Sequence, residues 1–155
     1  MNHSYIEAME STLKRCGFHK VNQLSDRCDP AIFGNAEVTF QSGTILFKFI
    51  KDQGQDFLEI ASIYKSDRFF QVNDLFVAMG WWSLKDLNAK QQPSITDILS
   101  EINKNAAIIL EIFSLSNIEN TVKKIQKVEM KRETVFIEKL KNLASKNIDD
   151  HGHKI

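Results

Sequence analysis

The residues of this chain that could do chemistry are two cysteines, four histidines and a few acidic or basic clusters. A cysteine nucleophile needs a nearby histidine to lower its thiol pKa, and Cys16 lies three residues from His19 while Cys28 has no motif around it. Cys16 falls on the apolar side of a helical pattern, where a free cysteine behaves as a small hydrophobe. His151 and His153, with Asp149 and Asp150, are ligand types suited to zinc or copper. A structural metal site needs about four preorganised ligands, which a terminal tail does not offer, so no metal or other cofactor is expected. Asp52, Asp56 and Glu59 could be an acid and base set, yet Asp52 and Asp56 flank a tight turn, where aspartate commonly bonds its own backbone. Lys123, Lys124, Lys127, Lys131 and Arg132 could line positive charge along a helix as phosphate-tracking stripes do. Glu119, Glu129, Glu133 and Glu138 are interleaved with them, the pattern of a solvated helix with charge pairs one turn apart. Gly-rich phosphate loops, zinc-finger spacing and a Gly-x-Ser-x-Gly elbow are missing, so no catalytic residue is assigned and an enzyme is not expected.

The elements that must position these residues are read from periodicity. Ser4 and Glu7 have the spacing of a capping box. Tyr5, Ala8, Met9, Thr12, Leu13 and Cys16 then form one helical face, and Gly17 followed by Phe18 is the signature of a Schellman stop. Ser25 to Pro30 has the composition of a loop. From Phe33 to Val72 the period becomes two. Val38 and Phe40, then Ile45, Phe47 and Phe49, then Phe57 to Tyr64 predict three strands turning at Ser42-Gly43 and at Gly54, with Phe69 to Val72 a candidate fourth. Asn73 is the expected cap of a short helix that Gly80 stops, just before Trp81 and Trp82. Ser94 and Asp97 open a helix whose second half, Ala106 to Phe113, is apolar nearly all round and is expected to be buried on several sides. A last helix from about Asn117 to Ala144 carries a narrow seam of Ile118, Val122, Ile125, Phe136, Leu140 and Leu143. Glu129 and Arg132 interrupt that seam, which predicts a break there or a helix that projects past the body. The expectation is an α+β fold with an N-terminal helix, a three- to four-stranded antiparallel β-meander and a helical C-terminal half. It occupies residues 1–146 as one domain, with 147–155 as a frayed tail.

Composition narrows the function classes. The 155 residues suit one core, and 20 basic against 20 acidic side chains leave no global field to draw the chain to nucleic acid or an acidic membrane. The 11 Phe outnumber Trp and Tyr together, which favours a packed core over a stacking platform. Two widely separated cysteines make no disulfide framework, and neither a signal segment nor an apolar run of spanning length is present. Free thiols at Cys16 and Cys28 and a cytoplasmic, soluble protein are therefore expected.

Phe33 to Trp82 also resembles a known family. The segment is a β-meander whose second turn reads Lys51-Asp52-Gln53-Gly54-Gln55-Asp56, followed by Phe57-Leu58-Glu59-Ile60 and by Phe70-Gln71-Val72-Asn73-Asp74-Leu75 entering a helix that ends at Gly80. It looks like the small bacterial immunity proteins of polymorphic-toxin and contact-dependent growth inhibition systems. The resemblance implies a compact cytoplasmic α+β protein that binds one cognate toxin domain and blocks it without catalysis. The chain's neutrality departs from the acidic immunity proteins that face basic nucleases, so a nuclease target is not implied. Trp82 is the expected anchor of the partner patch, with Asp52, Asp56 and Glu59 as its polar rim. The alternative for the indoles is burial of both against the last two helices. The alternative function is a nucleic-acid-binding or regulatory adaptor using Lys123, Lys124, Lys127, Lys131 and Arg132.

Overall fold

The computed structural model describes residues 3–18, 22–29, 35–52, 54–87 and 93–151. Helix α1, His3–Arg15, leads into four eight-residue strands, β1 Asn22–Asp29, β2 Asn35–Ser42, β3 Ile45–Asp52 and β4 Gln55–Ser62. A single 3-10 turn, Ile63–Lys65, and the two-residue strand β5, Phe70–Gln71, follow. The helices α2 Val72–Ala78, α3 Leu84–Leu87, α4 Ile95–Ile112 and α5 Ile118–His151 complete the chain. The strands form one antiparallel meander in sequence order. The expected α+β architecture, with an N-terminal helix, a meander and a helical C-terminal half, is the observed one.

Alternation sets the two faces of the sheet. Val38 pairs with Phe49, Phe40 with Phe47, Phe47 with Ile60 and Phe49 with Leu58, so these side chains share one face. All are buried in the core cluster with Met9, Leu13, Cys16 and Phe18 of the α1 region, Leu75 and Phe76 of α2, Ile98 to Phe113 of α4, and Ile118 and Ile125 of α5. The Phe18 ring meets that of Phe47 edge to face at 4.9 Å. The Schellman stop forms as expected: Gly17 N–H bonds Lys14 C=O at 3.1 Å, and Phe18 N–H bonds Leu13 C=O at 3.2 Å. Gly80 ends α2 in the same way, with Gly80 N–H on Val77 C=O and Trp81 N–H on Phe76 C=O.

Three expectations need correction. The loop expected from Ser25 to Pro30 is, as far as Asp29, strand β1, which pairs with β2 along its length and carries an irregularity between Gln23 and Ser25. Its polar sequence, Asn-Gln-Leu-Ser-Asp-Arg-Cys-Asp, hides it because an edge strand is held by backbone bonds on one side and is blunted by charges and bulges. Asn73 is not a cap: β5 runs directly into α2, Gln71 stands at the N-cap position, and its side chain makes no cap bond. α4 has the expected Ser94 and Asp97 capping box, but its second half is not enclosed, since Ile108 and Leu110 are exposed on its two flanks. Of the two outcomes expected for α5 at Glu129 and Arg132, the break does not occur, and the helix runs on unbroken to His151. The Ser4 capping side chain lies outside the described residues.

Gly17 and Gly80 hold φ of 90° and 75°, and no neighbour within 4 Å would meet an added Cβ. The cost of alanine there is therefore backbone strain alone, about 1 kcal/mol per site. Gly17→Ala and Gly80→Ala are each expected to lower the unfolding free energy by that amount in urea titrations, and Gly80→Asn by less.

Candidate functional site

The interruption of the α5 seam is where charge enters the interior. Asp74 lies in the first turn of α2 with its side chain fully buried. Arg132 Nη1 donates to Asp74 Oδ1 at 2.8 Å and to Gln71 Oε1 at 3.2 Å. One turn earlier, Arg68 Nη2 donates to Glu129 Oε2 at 2.7 Å. Both residues that spoil the apolar pattern are thus paired with the segment joining β4 to α2. Asp74 Oδ2 is buried without a hydrogen-bond partner. Burial pushes the Asp74 carboxyl up to about 6, Arg132 opposes the rise and Glu129 adds to it.

The outer face of the sheet holds a second charged group. Lys48 Nζ lies 3.7 Å from Glu59 and 3.9 Å above the centre of the Phe69 ring. Burial raises the Glu59 carboxyl, Lys48 opposes the rise and Glu37 adds to it. Asp52 shares this face, because Lys48 pairs with Glu59 and Asp52 with Gln55. Asp56 does not: it pairs with Lys51 and belongs to the inner face, with Oδ1 buried and unbonded. Asp52, Asp56 and Glu59 therefore form neither an acid and base set nor one rim. Within one strand the faces alternate at each residue, so Asp56 and Glu59, three apart on β4, point to opposite sides.

Trp81 and Trp82 are both half-buried against the core cluster. They pack on the same ring, Phe76, with centroids at 5.7 Å and 4.8 Å respectively. The expected division into one core and one surface indole does not occur, since the Schellman turn at Gly80 brings both back over the end of α2. Cys16 is a free, buried thiol on the floor of a groove of about 480 Å³ between α1 and α4, lined also by Thr12, Arg15, Ser100 and Asn103. Burial raises its pKa against the pull of Arg15, so it is a poor nucleophile. His19, His153 and the side chains of Cys28, Asp149, Asp150 and His151 lie outside the described residues. Lys123, Lys124, Lys127 and Lys131 are exposed along α5, whereas Arg132 is withdrawn from that stripe by Asp74.

A corner away from every site expected from the sequence also exposes large apolar side chains. Ile63 N–H bonds Thr44 C=O at 2.9 Å, and Thr44 Oγ1 donates to Phe113 C=O at 3.3 Å, which joins the 3-10 turn, the β2–β3 turn and the end of α4. The α4–α5 connection is locked by Thr121 Oγ1 on Ile112 C=O at 2.8 Å and Asn117 Nδ2 on Glu111 C=O at 3.1 Å. On this frame Ile63, Tyr64 and Leu115 stand 38%, 46% and 67% exposed, and Lys65 lies 4.0 Å from Glu119 beside them. The signal was Leu115 itself, a lone large hydrophobe set in Ser114-Leu115-Ser116-Asn117, a run of turn formers.

Among the described residues, no helix is long and apolar enough to cross a membrane and no three His, Cys, Asp or Glu side chains gather as metal ligands would. Compared with family models, curated proteins and solved structures, the chain matches none.

The Asp74 carboxyl, at about 6, stands above its ordinary 3.8, so the native state binds this proton more readily than the unfolded chain does. Its contribution to stability rises as pH falls from above 6 to below 3.8, by roughly 2–3 kcal/mol in all, and is smallest at neutral pH and above. Urea midpoints at pH 7.5 and 5 should show about half of this gain, roughly 1.4 kcal/mol, in the wild type and its loss in Asp74→Asn. Arg132→Met strands the buried carboxylate and is expected to cost about 3 kcal/mol at pH 7.5 but much less at pH 5.

Proposed function

We propose that the protein neutralises a cognate bacterial toxin domain by direct one-to-one binding in the cytoplasm, as an immunity protein without catalysis of its own. The observation that carries this reading is the Ile63, Tyr64 and Leu115 corner. Three large apolar side chains are held in water by turns whose backbone and side-chain hydrogen bonds are already made. A surface fixed before binding loses little conformational freedom when a partner covers it, which is what a tight inhibitor needs. Tyrosine is among the residues that anchor interfaces, and the Lys65 and Glu119 pair supplies a polar edge. The resemblance of the Phe33 to Trp82 segment to immunity proteins adds to this, and the free, buried Cys16 suits a reducing compartment. Half-buried Trp82 and the outer-face Asp52 and Glu59 belong to other parts of the surface, so the corner replaces them as the leading contact.

Four exposed lysines in the first half of α5 favour a second reading, an adaptor that binds nucleic acid through Lys123, Lys124, Lys127 and Lys131. Such binding weakens steeply with salt because neutralised phosphates release counterions.

The test is co-expression with the C-terminal domain encoded by the adjacent upstream reading frame. Growth arrest by that domain should be relieved by the wild-type chain and restored by Tyr64→Ala with Leu115→Ser, whose melting temperatures stay near wild type because both side chains are exposed. Failure of the two proteins to co-purify would remove the toxin reading. Salt-sensitive binding of a duplex DNA or RNA, lost on replacing Lys123, Lys127 and Lys131 by Gln, would put the adaptor in its place.

A further inference from the structure

Among the described residues the last side-chain bond that joins α5 to the body is made by Arg132, and the helix continues to His151, a further 19 residues and about 28 Å. This arm keeps the face that packs on the body. Phe136 follows Ile125, and Leu143 follows Arg132, by eleven residues, which is three helical turns to within about 20°. The side of α5 that is buried at Ile125 is therefore continued by Phe136, Leu140 and Leu143, with nothing of the described chain beneath it. These three are 61%, 50% and 59% exposed, while Ile137 and Met130, at 50% and 67%, lie about 100° around the helix from them. At the base of the arm Arg132, Val135, Phe136 and Lys139 line a notch of about 350 Å³.

We propose that this arm is a self-association surface, on which the α5 arm of a second copy packs through Phe136, Leu140 and Leu143. The 4-3 spacing of these residues is that of a coiled-coil seam. The three seam side chains at half to two-thirds exposure leave on the order of 300 Å² of apolar surface per chain. A pair would bury about 600 Å² of it and, with the polar flanks that make up roughly two-fifths of an interface, about 1,000 Å² in all, at the lower bound for a specific interface. Charge also fits a second copy. From Glu133 to His151 the arm carries four acidic residues, Glu133, Glu138, Asp149 and Asp150, against three lysines, Lys139, Lys141 and Lys146, so identical arms approach with little net repulsion. A phosphate backbone or a strongly acidic partner would instead be drawn to the lysines preceding the arm. An isologous contact of this size gives a concentration-dependent dimer of micromolar affinity rather than an obligate one.

Sedimentation velocity of the full chain over about a hundredfold concentration range tests this. The weight-average mass should rise from one chain towards two, and the melting temperature should rise with concentration. Leu140→Glu and, separately, Leu143→Lys should each weaken the dimer at least tenfold while helix content by circular dichroism and the melting temperature at low concentration stay unchanged, because neither side chain touches the body. Leu115→Ser should leave the dimer intact. A single-chain mass at every concentration overturns the proposal, and so does a dimer that survives both arm variants or dissociates with Leu115→Ser.

Discussion

The helices α1, α2 and α4 are held by the inner face of the meander, where Val38, Phe40, Ile45, Phe47, Phe49, Leu58 and Ile60 present a continuous apolar floor. A side-chain period of two means that a one-residue slip would turn all of them outward, so the register of β2, β3 and β4 is over-determined by burial. The edge-to-face contacts of Phe40 with Phe49 and of Phe18 with Phe47 add directional preference to what area alone would supply. Once that floor exists, α1, α2 and α4 have one place to bury their stripes, and α5 is laid across α2.

The floor is finite, and that limit shapes the rest of the molecule. α5 runs out of apolar support at Arg132, where the body offers Asp74 and Gln71 instead. A buried ion pair of this kind contributes little net stability, since desolvating both charges offsets most of their attraction. It does fix position: a slip of α5 by one turn would leave the Asp74 carboxylate enclosed without the Arg132 guanidinium. Arg68 and Glu129 repeat the arrangement nearer the surface, where solvent screens the pair and its energetic share is small. Asp74 and Arg132 thus register the longest helix against the sheet and mark where it leaves the body.

Surface apolar groups follow the same geometry. α4 buries one stripe, Ile98, Ile102, Ala106 and Ile109, so the remaining apolar residues of its second half must face outward. Leu115 is exposed because the turn that reverses the chain between α4 and α5 is built from backbone and polar side-chain bonds and has no interior. The corner and the arm are both exposed for structural reasons, yet they differ in kind. The corner is braced by hydrogen bonds from three segments, and the arm is an isolated helix whose apolar face lies past the end of its support.

Local signals in the sequence determined much of this. The Schellman stop at Gly17 and Phe18, the capping box of Ser94 and Asp97, the turns at Gly43 and Gly54 and the alternation of β2 to β4 each depend on residues a few positions apart, so short-range chemistry suffices to read them. The seam of α5 was legible too, including the two charged residues that interrupt it. What the interruption meant was decided by tertiary structure, because the partners of Glu129 and Arg132, Arg68 and Asp74, lie about sixty residues away in the chain. The same distance effect hid β1, whose strand identity resides in backbone bonds to β2 and not in its own polar side chains. It separated Asp56 from Asp52 and Glu59, drew both indoles onto Phe76, and assembled Ile63, Tyr64 and Leu115 from segments that no sequence window contains. Periodicity states which side of an element is apolar; only the packed fold decides how much of that side finds something to cover it.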